Sequence, residues 1–428
     1  MYLVISMKIL LAGIISVFLL LPFEGARFIL FGIPIYFIEA ATLFCVLVLI
    51  AQFSSRTFRR QTAGITFIPP RPVTLGILAL VGSVILSIIA AHSEQAICPF
   101  SPETSLRALG IVKSWFLFPI LFGYVIFLAA QRYFSREKLL SMFTVSFLPF
   151  GIYSSLMWVF GSGVTYDGRF KGIFNSPNAL ALFLEPAAIL SWYFLRTHKT
   201  LLWPLSAFIF FFLLFLTHSY SAWLALGMAI LFFEGARCRI TPKTIGMALS
   251  IALASIALFS VAHKNSPRFE HFFSPDSRSS FASRVMIWKS AEKMIADSPI
   301  FGIGPGNFQS CYLAYQPFFP PYLEWSVPEP HNIFLAFWLE SGVLGLISFC
   351  FLIVFWFRNI SHVATKKEPS SALLALSAIM IALLVHGLFD TPYWRMGLAP
   401  LFWIIFFLGI FPQAHRKSPS KMLQGKPK

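Results

Sequence analysis

Uninterrupted apolar stretches of about twenty residues, the length needed to cross the hydrocarbon core of a bilayer, recur along this chain. They fall near residues 5–22, 36–53, 74–91, 111–130, 139–160, 179–195, 201–217, 221–235, 244–262, 343–357, 372–389 and 397–412. Lipid offers backbone groups no partner, so a chain that enters it closes its hydrogen bonds inside helices or around a closed barrel. Barrel strands would alternate apolar and polar residues, and these stretches do not. The expected fold class is therefore all-α: a polytopic integral membrane protein with about 12 transmembrane helices and one large extracytoplasmic loop. Composition agrees, since 57% of the residues are hydrophobic and 12% are charged, against about 25% charged in a soluble protein. A soluble globular enzyme is excluded. Lys8 and the run after it resemble a signal peptide, but Leu21-Pro22-Phe23-Glu24-Gly25 offers no small-x-small cleavage site, so an uncleaved first helix is expected.

The net charge of +16 invites a nucleic-acid reading, yet the cations are scattered in short groups between the apolar runs. Alternate loops hold them: Arg56 to Arg71, Arg132 to Lys138, Arg196 and Lys199, Arg237 to Lys243, Arg358 to Lys367, and the tail. With Lys8 these account for 21 of the 33 lysines and arginines, which marks that side as cytoplasmic. Both termini are then cytoplasmic, no nucleic-acid partner is implied, and the 68 residues from His263 to Pro330 face outward. The organisation read from this is 1–262 for helices 1 to 9, 263–342 for an extracytoplasmic loop with short helices, 343–412 for helices 10 to 12, and 413–428 for a basic cytoplasmic tail. Among the cysteines there is no CxxC pair; Cys45 and Cys350 lie in apolar runs, and whether Cys98 and Cys311 pair is left open.

Chemistry is expected where polar residues interrupt the outer boundary. Residues 281–297 read as a helix after the candidate caps Ser279 and Ser280, with Phe281, Arg284, Val285, Trp288, Ala291 and Ile295 on one stripe. An arginine on that apolar face either snorkels to the membrane surface or presents its planar fork to a phosphate. Ile300 to Phe308, with Gly302, Gly304 and Gly306 around Pro305, reads as a rigid turn back toward the membrane. It lacks the strand, helix and ribose-binding acid of a dinucleotide site. His331 and Asn332 open the next helix, where an imidazole serves either structure or proton transfer, and where a helix start favours anions. Arg169 and Lys171 lie at another outer boundary, just ahead of Asn178. They break the inside-positive pattern, so an anionic ligand or lipid headgroups must meet them. His386 and Asp390 read as an ionisable pair on one face of the eleventh span, with Arg395 just after.

No Asp-x-Asp, Gly-x-Ser-x-Gly or P-loop occurs, and no outward cluster of acids or histidines suits a metal. Neither a metal nor any other cofactor is implied, so the chemistry rests on Arg, His and Lys.

In this order and spacing, Ser283-Arg284 to Trp288, Pro299 to Phe308, His331-Asn332 and Gly342-Val-Leu-Gly345 resemble the O-antigen ligase and O-antigen polymerase superfamily of bacterial membrane glycosyltransferases. Arg169-Phe-Lys-Gly172 to Asn178 is similar too. The resemblance implies a multi-pass protein of the bacterial cytoplasmic membrane that moves a glycan from an undecaprenyl diphosphate carrier to lipid A core, a growing polysaccharide or a protein hydroxyl. It further implies that His331 is the base or the residue that orients the acceptor and that Arg284 holds the diphosphate, aided by Arg169, Lys171 or Arg395. Asn178, Trp288 and Asn332 stand as supporting residues. Where the family often has Ser-Arg, this chain has Ser219-Tyr220. The competing reading is a multi-span lipid-linked sugar flippase or polysaccharide transporter.

Overall fold

The computed structural model describes residues 2–30, 33–54, 66–93, 98, 100–237, 280–320, 327–366 and 370–410. The ninth span read from sequence, the first part of the outer loop and the basic tail lie outside the described residues. The first helices are α1 (Tyr2–Leu20), α2 (Phe37–Ser54), α3 (Arg71–Ala91) and α4 (Pro102–Ile111), the last followed by a π-helical turn (Val112–Leu117). Next come α5 (Phe118–Arg132), α6 (Arg136–Val159), α7 (Pro177–Thr197), α8 (Leu202–Leu216) and α9 (Tyr220–Arg237). The remainder are α10 (Ser280–Asp297), α11 (Phe308–Tyr315), α12 (Ile333–Lys366), α13 (Ser371–Gly387) and α14 (Leu398–Ile410). Among the described residues six helical stretches are long and apolar enough to cross a membrane, and four shorter helices are apolar as well. The protein is a multi-pass membrane protein. All-α needs one amendment: Arg27–Leu30 and Ile33–Tyr36 pair as an antiparallel hairpin between α1 and α2, which lets a short connection satisfy its own backbone groups.

Local chemistry sets the helix starts. Ser135, Ser176 and Ser370 accept hydrogen bonds from the backbone N–H groups of Lys138, Ala179 and Leu373, each filling one donor that a helix leaves unpaired. The helices then pack in pairs, α12 on α3, α9 on α13, α14 on α5 and α7 on α8. Leu75, Leu78, Phe208, Ile347 and Val354 stay exposed and give the bundle an apolar outer surface, as a lipid-facing protein requires.

The glycine turn seen in the sequence is seated in a break of α12. At Gly342 the backbone turns to φ 72°, ψ 178°, which frees groups the helix would have paired. The turn takes them up: Ile303 N–H donates to the Leu339 carbonyl at 2.6 Å, and Val343 N–H donates to the Ile300 carbonyl at 3.1 Å. A Cβ at Gly302 would lie 2.1 Å from the Leu339 oxygen, and one at Gly342 would lie 2.2 Å from the Ile300 oxygen. Both positions also have positive φ, so only glycine fits. Gly306 N–H donates to Glu340 at 2.9 Å, and a Cys98–Cys311 disulfide ties the segment after α3 to α11.

The connection from Leu388 to Gly397 is held from below by buried aromatic residues. Tyr393 and Trp394 are fully buried, and the Tyr393 hydroxyl donates to the Trp115 carbonyl at 2.8 Å while accepting from Trp403 Nε1 at 3.1 Å. This anchored connection carries the centre of the site.

Candidate functional site

Asp390 is the residue around which the others gather. The structure places it beyond the end of α13 and not on one helical face with His386. The sequence reading assumed one continuous helix, but α13 stops at Gly387, with its last carbonyls bonded by Leu388 and Phe389 N–H. Asp390 therefore turns to His331, whose Nδ1 lies 3.5 Å from its carboxylate, while Thr391 N–H donates to it at 2.9 Å. Burial alone would raise the pKa of Asp390. The bond and charge of His331, with the charges of His386 and Arg284, win instead and hold it well below the usual carboxylate range.

His331 precedes α12 and does not begin it. Asn332 is the cap: its Oδ1 accepts from Phe334 and Leu335 N–H at 3.0 and 3.1 Å, and its Nδ2 donates to the Leu388 carbonyl at 3.1 Å. That side chain occupies the helix start, so the expected anion site at the α12 N-terminus is filled from within. His331 adopts φ 49°; among the described residues the only other non-glycine at positive φ is His218, at 48°. Such strain persists only where surrounding contacts enforce it, and it gathers at functional sites. His218 follows Thr217, whose carbonyl accepts from Arg169, and its ring lies against Phe215 and Trp223.

Two arginines approach from different elements. Arg284 on α10 donates from Nε to the Phe389 carbonyl at 2.7 Å. Trp288, one turn on, packs against the Phe389 ring at 6.4 Å. The buried face of α10 is formed by Ile287, Ala291, Met294 and Ile295, whereas Phe281 is exposed at 43%, because α10 meets α11 and α12 through its later turns. Arg284 and Trp288 lie on the flank toward residue 389. Arg169, in the connection before α7, donates from Nε to the Thr217 carbonyl at 2.9 Å and from Nη2 to Asn178 Oδ1 at 2.8 Å. Its pKa is lowered by burial, then by the positive charge of Arg284, with Tyr220 opposing; that of Arg284 is lowered by burial against the pull of Asp390. Arg169 thus senses the charge of Arg284, and Arg284 that of Asp390. Tyr220 starts α9 beside them, and Lys171 stands two residues beyond Arg169, partly buried.

Arg395 has a different setting. It lies 3.7 Å from Glu24; burial would lower its pKa, but Glu329, Glu24 and Asp390 raise it. Glu329 accepts a bond from Thr391 Oγ1, and burial pushes its carboxyl up to about 8 against the opposing charge of Arg395.

Sequence reasoning missed what His386 does. Its Nδ1 lies 2.6 Å from Glu185 Oε1 on α7 and its Nε2 lies 3.1 Å from Ser221 Oγ on α9. All three helices are joined by this fully buried imidazole. The signal was present in Glu185, an acid in the middle of the apolar stretch 179–195, where an ionisable group needs a partner. Among the described residues no group of three or more His, Cys, Asp or Glu side chains is arranged to hold a metal.

Residues 205–350 match the O-Antigen ligase family model. The O-antigen ligase of Salmonella typhimurium is 30% identical over 221 residues, which cover 49% of this chain and 53% of that protein. The chain thus spans about half the length of the curated relative it matches. The family match includes Tyr220, Arg284, Trp288 and His331, while Arg169, His386 and Asp390 come to the same place from outside it. Through residues 205–350, the stretch that carries Arg284 and His331, the chain is similar to the O-antigen ligase family.

Proposed function

We propose that this protein is a membrane glycosyltransferase that moves a glycan from a polyprenyl diphosphate carrier, of the undecaprenyl type, to a hydroxyl of lipid A core or of a growing polysaccharide. The observation that carries this reading is the arrangement of Arg284 and Arg169, the second sensing the charge of the first, beside a histidine within reach of Asp390. A lipid diphosphate is already a good leaving group. What the reaction needs from the protein is positive charge on the departing phosphate oxygens and a base placed for the incoming hydroxyl.

In this reading Arg284 and Arg169 hold the diphosphate, with Lys171 at its edge. Asn178 and Trp288 support the arginines by bonding Arg169 and by packing beside Arg284. Tyr220 stands where relatives often carry an arginine and can donate its hydroxyl to phosphate. Arg395 balances Glu24 and Glu329. His331 accepts the acceptor's proton through the ring nitrogen turned from Asp390, which orients the ring, while Asn332 fixes the backbone beneath it. One displacement at the anomeric carbon inverts it. The reaction runs on the outer face of the cytoplasmic membrane, with both termini inside. The Cys98–Cys311 disulfide supports this side, because thiols bridge and persist in oxidising compartments.

The direct test supplies purified full-length protein in detergent with an undecaprenyl diphosphate glycan and O-antigen-free lipid A core, and follows the product by mass. A new glycosidic bond with inverted configuration, formed equally in excess chelator, is expected. Turnover that a divalent cation alone restores would refute the metal-free mechanism, and lipid movement without a new bond would favour a flippase.

A further inference from the structure

A cavity of about 810 Å³ lies next to the site without including it: Arg284, Arg169, His331 and Asp390 are absent from its walls. It is bounded by the β-hairpin, the π-helical turn, the glycine turn at Gly306, and the segment that leads into His331. Residues 328–332 thus run from the cavity wall, at Pro328 and Glu329, to the candidate base. Glu329 is also bonded to Thr391, the neighbour of Asp390. The cavity and the base are two ends of one short piece of backbone.

Its walls are fixed. Glu39 clamps hairpin and π turn together, accepting from Lys113 Nζ at 2.8 Å and from Ser114 Oγ at 2.5 Å, while Lys113 also donates to the Pro34 carbonyl at 2.7 Å. A π-helical turn is rare and recurs at functional sites; this one puts Lys113, Ser114 and Trp115 on the wall. The chemistry of the lining is mixed in a specific way, with Trp115 and Tyr36 as aromatic faces, Arg27 and Arg107 as cations, and Glu329 and Glu340 as acids. Aromatic faces suit the C–H faces of sugar rings, and charged donors and acceptors suit their hydroxyls. The volume exceeds that of one sugar ring.

We infer that this cavity is the acceptor pocket: it receives the sugar units of a membrane-anchored glycan acceptor and directs one hydroxyl to His331. The assignment rests on the transferase reading above and divides the substrates, with the diphosphate at Arg284 and Arg169 and the acceptor between Trp115 and Arg107.

The test uses full-length protein in detergent and O-antigen-free lipid A core as the probe. Binding of this glycolipid without donor, and its KM at saturating donor, are measured for wild type and for Trp115→Ala, Arg107→Glu and Arg27→Glu. Trp115 packs against Trp394 and its removal can disturb folding, so the two exposed arginines keep the test decisive. The expected result is an acceptor KM raised about tenfold or more, with donor binding within twofold of wild type. Acceptor KM within twofold of wild type in the folded arginine variants, or a loss confined to donor binding, would overturn the pocket. Wild-type protein that binds the glycolipid through these residues yet forms no product would sustain the pocket and refute the transferase reading.

Discussion

Arg284 and Arg395 both lie near Asp390, yet their surroundings are opposite. Burial acts against the charge of Arg284 while Asp390 favours it, and burial and Arg284 act together against the charge of Arg169. Arg395 has Glu24 and Glu329 besides Asp390, and these acids outweigh its burial. In the proposed function the first setting takes an anionic ligand. The second is already balanced and holds the 388–397 connection to the start of the chain and to the segment before His331. Charge alone does not separate a binding arginine from a structural one; the groups packed around it do.

The largest effect expected from breaking this arrangement is at His331. His331→Ala removes the base, and transfer falls by about a hundred- to ten-thousand-fold, while binding of the lipid diphosphate donor is retained. Quantifying donor binding and product in the same folded preparation checks both halves. Near-normal transfer would remove His331 from the chemistry.

Arg395→Ala acts on the balanced side. It leaves Glu24 without its cation, and a buried group that loses its partner costs roughly 1–3 kcal/mol or more. A lower thermal midpoint in detergent is expected, with the surviving folded fraction still binding donor. Unchanged stability joined to lost donor binding would move Arg395 to the ligand.

A smaller effect sharpens the same side through pH. The Glu329 carboxyl is raised from 4.5 to about 8 by burial, so between these values the folded state keeps a proton that the unfolded state has released. Stability linked to this group is fully present below about pH 4.5 and declines as pH rises toward 8. Glu329→Gln cannot ionise and should flatten that decline in a midpoint-against-pH series. An unaltered slope would show that Glu329 is not the group responsible.

Much of the fold was legible because the membrane allows few solutions. Apolar length predicted the helices, and the glycines of 302–306 predicted a turn. That this turn would dock into a break of α12 at Gly342 was not legible, since the steric demand comes from backbone oxygens of another segment. Arg284, Arg169 and His331 could be singled out because charge at an outer boundary is conspicuous. Their arrangement could not, because His386 meets Glu185 and Ser221 across 201 and 165 residues, and no periodicity spans such distances. Asp390 was misplaced for a local reason: its spacing from His386 fits a helical face, but the helix stops between them.

The most direct measurement places Arg284→Lys and Arg395→Lys side by side, with affinity for an undecaprenyl diphosphate glycan as the readout and thermal midpoints as the control. Lysine keeps the charge but loses the planar fork that grips a phosphate. The account predicts donor affinity weakened about tenfold or more in Arg284→Lys at a wild-type midpoint, and donor affinity within twofold of wild type in Arg395→Lys. Equal donor affinity in both variants, or a loss confined to Arg395→Lys, would contradict it.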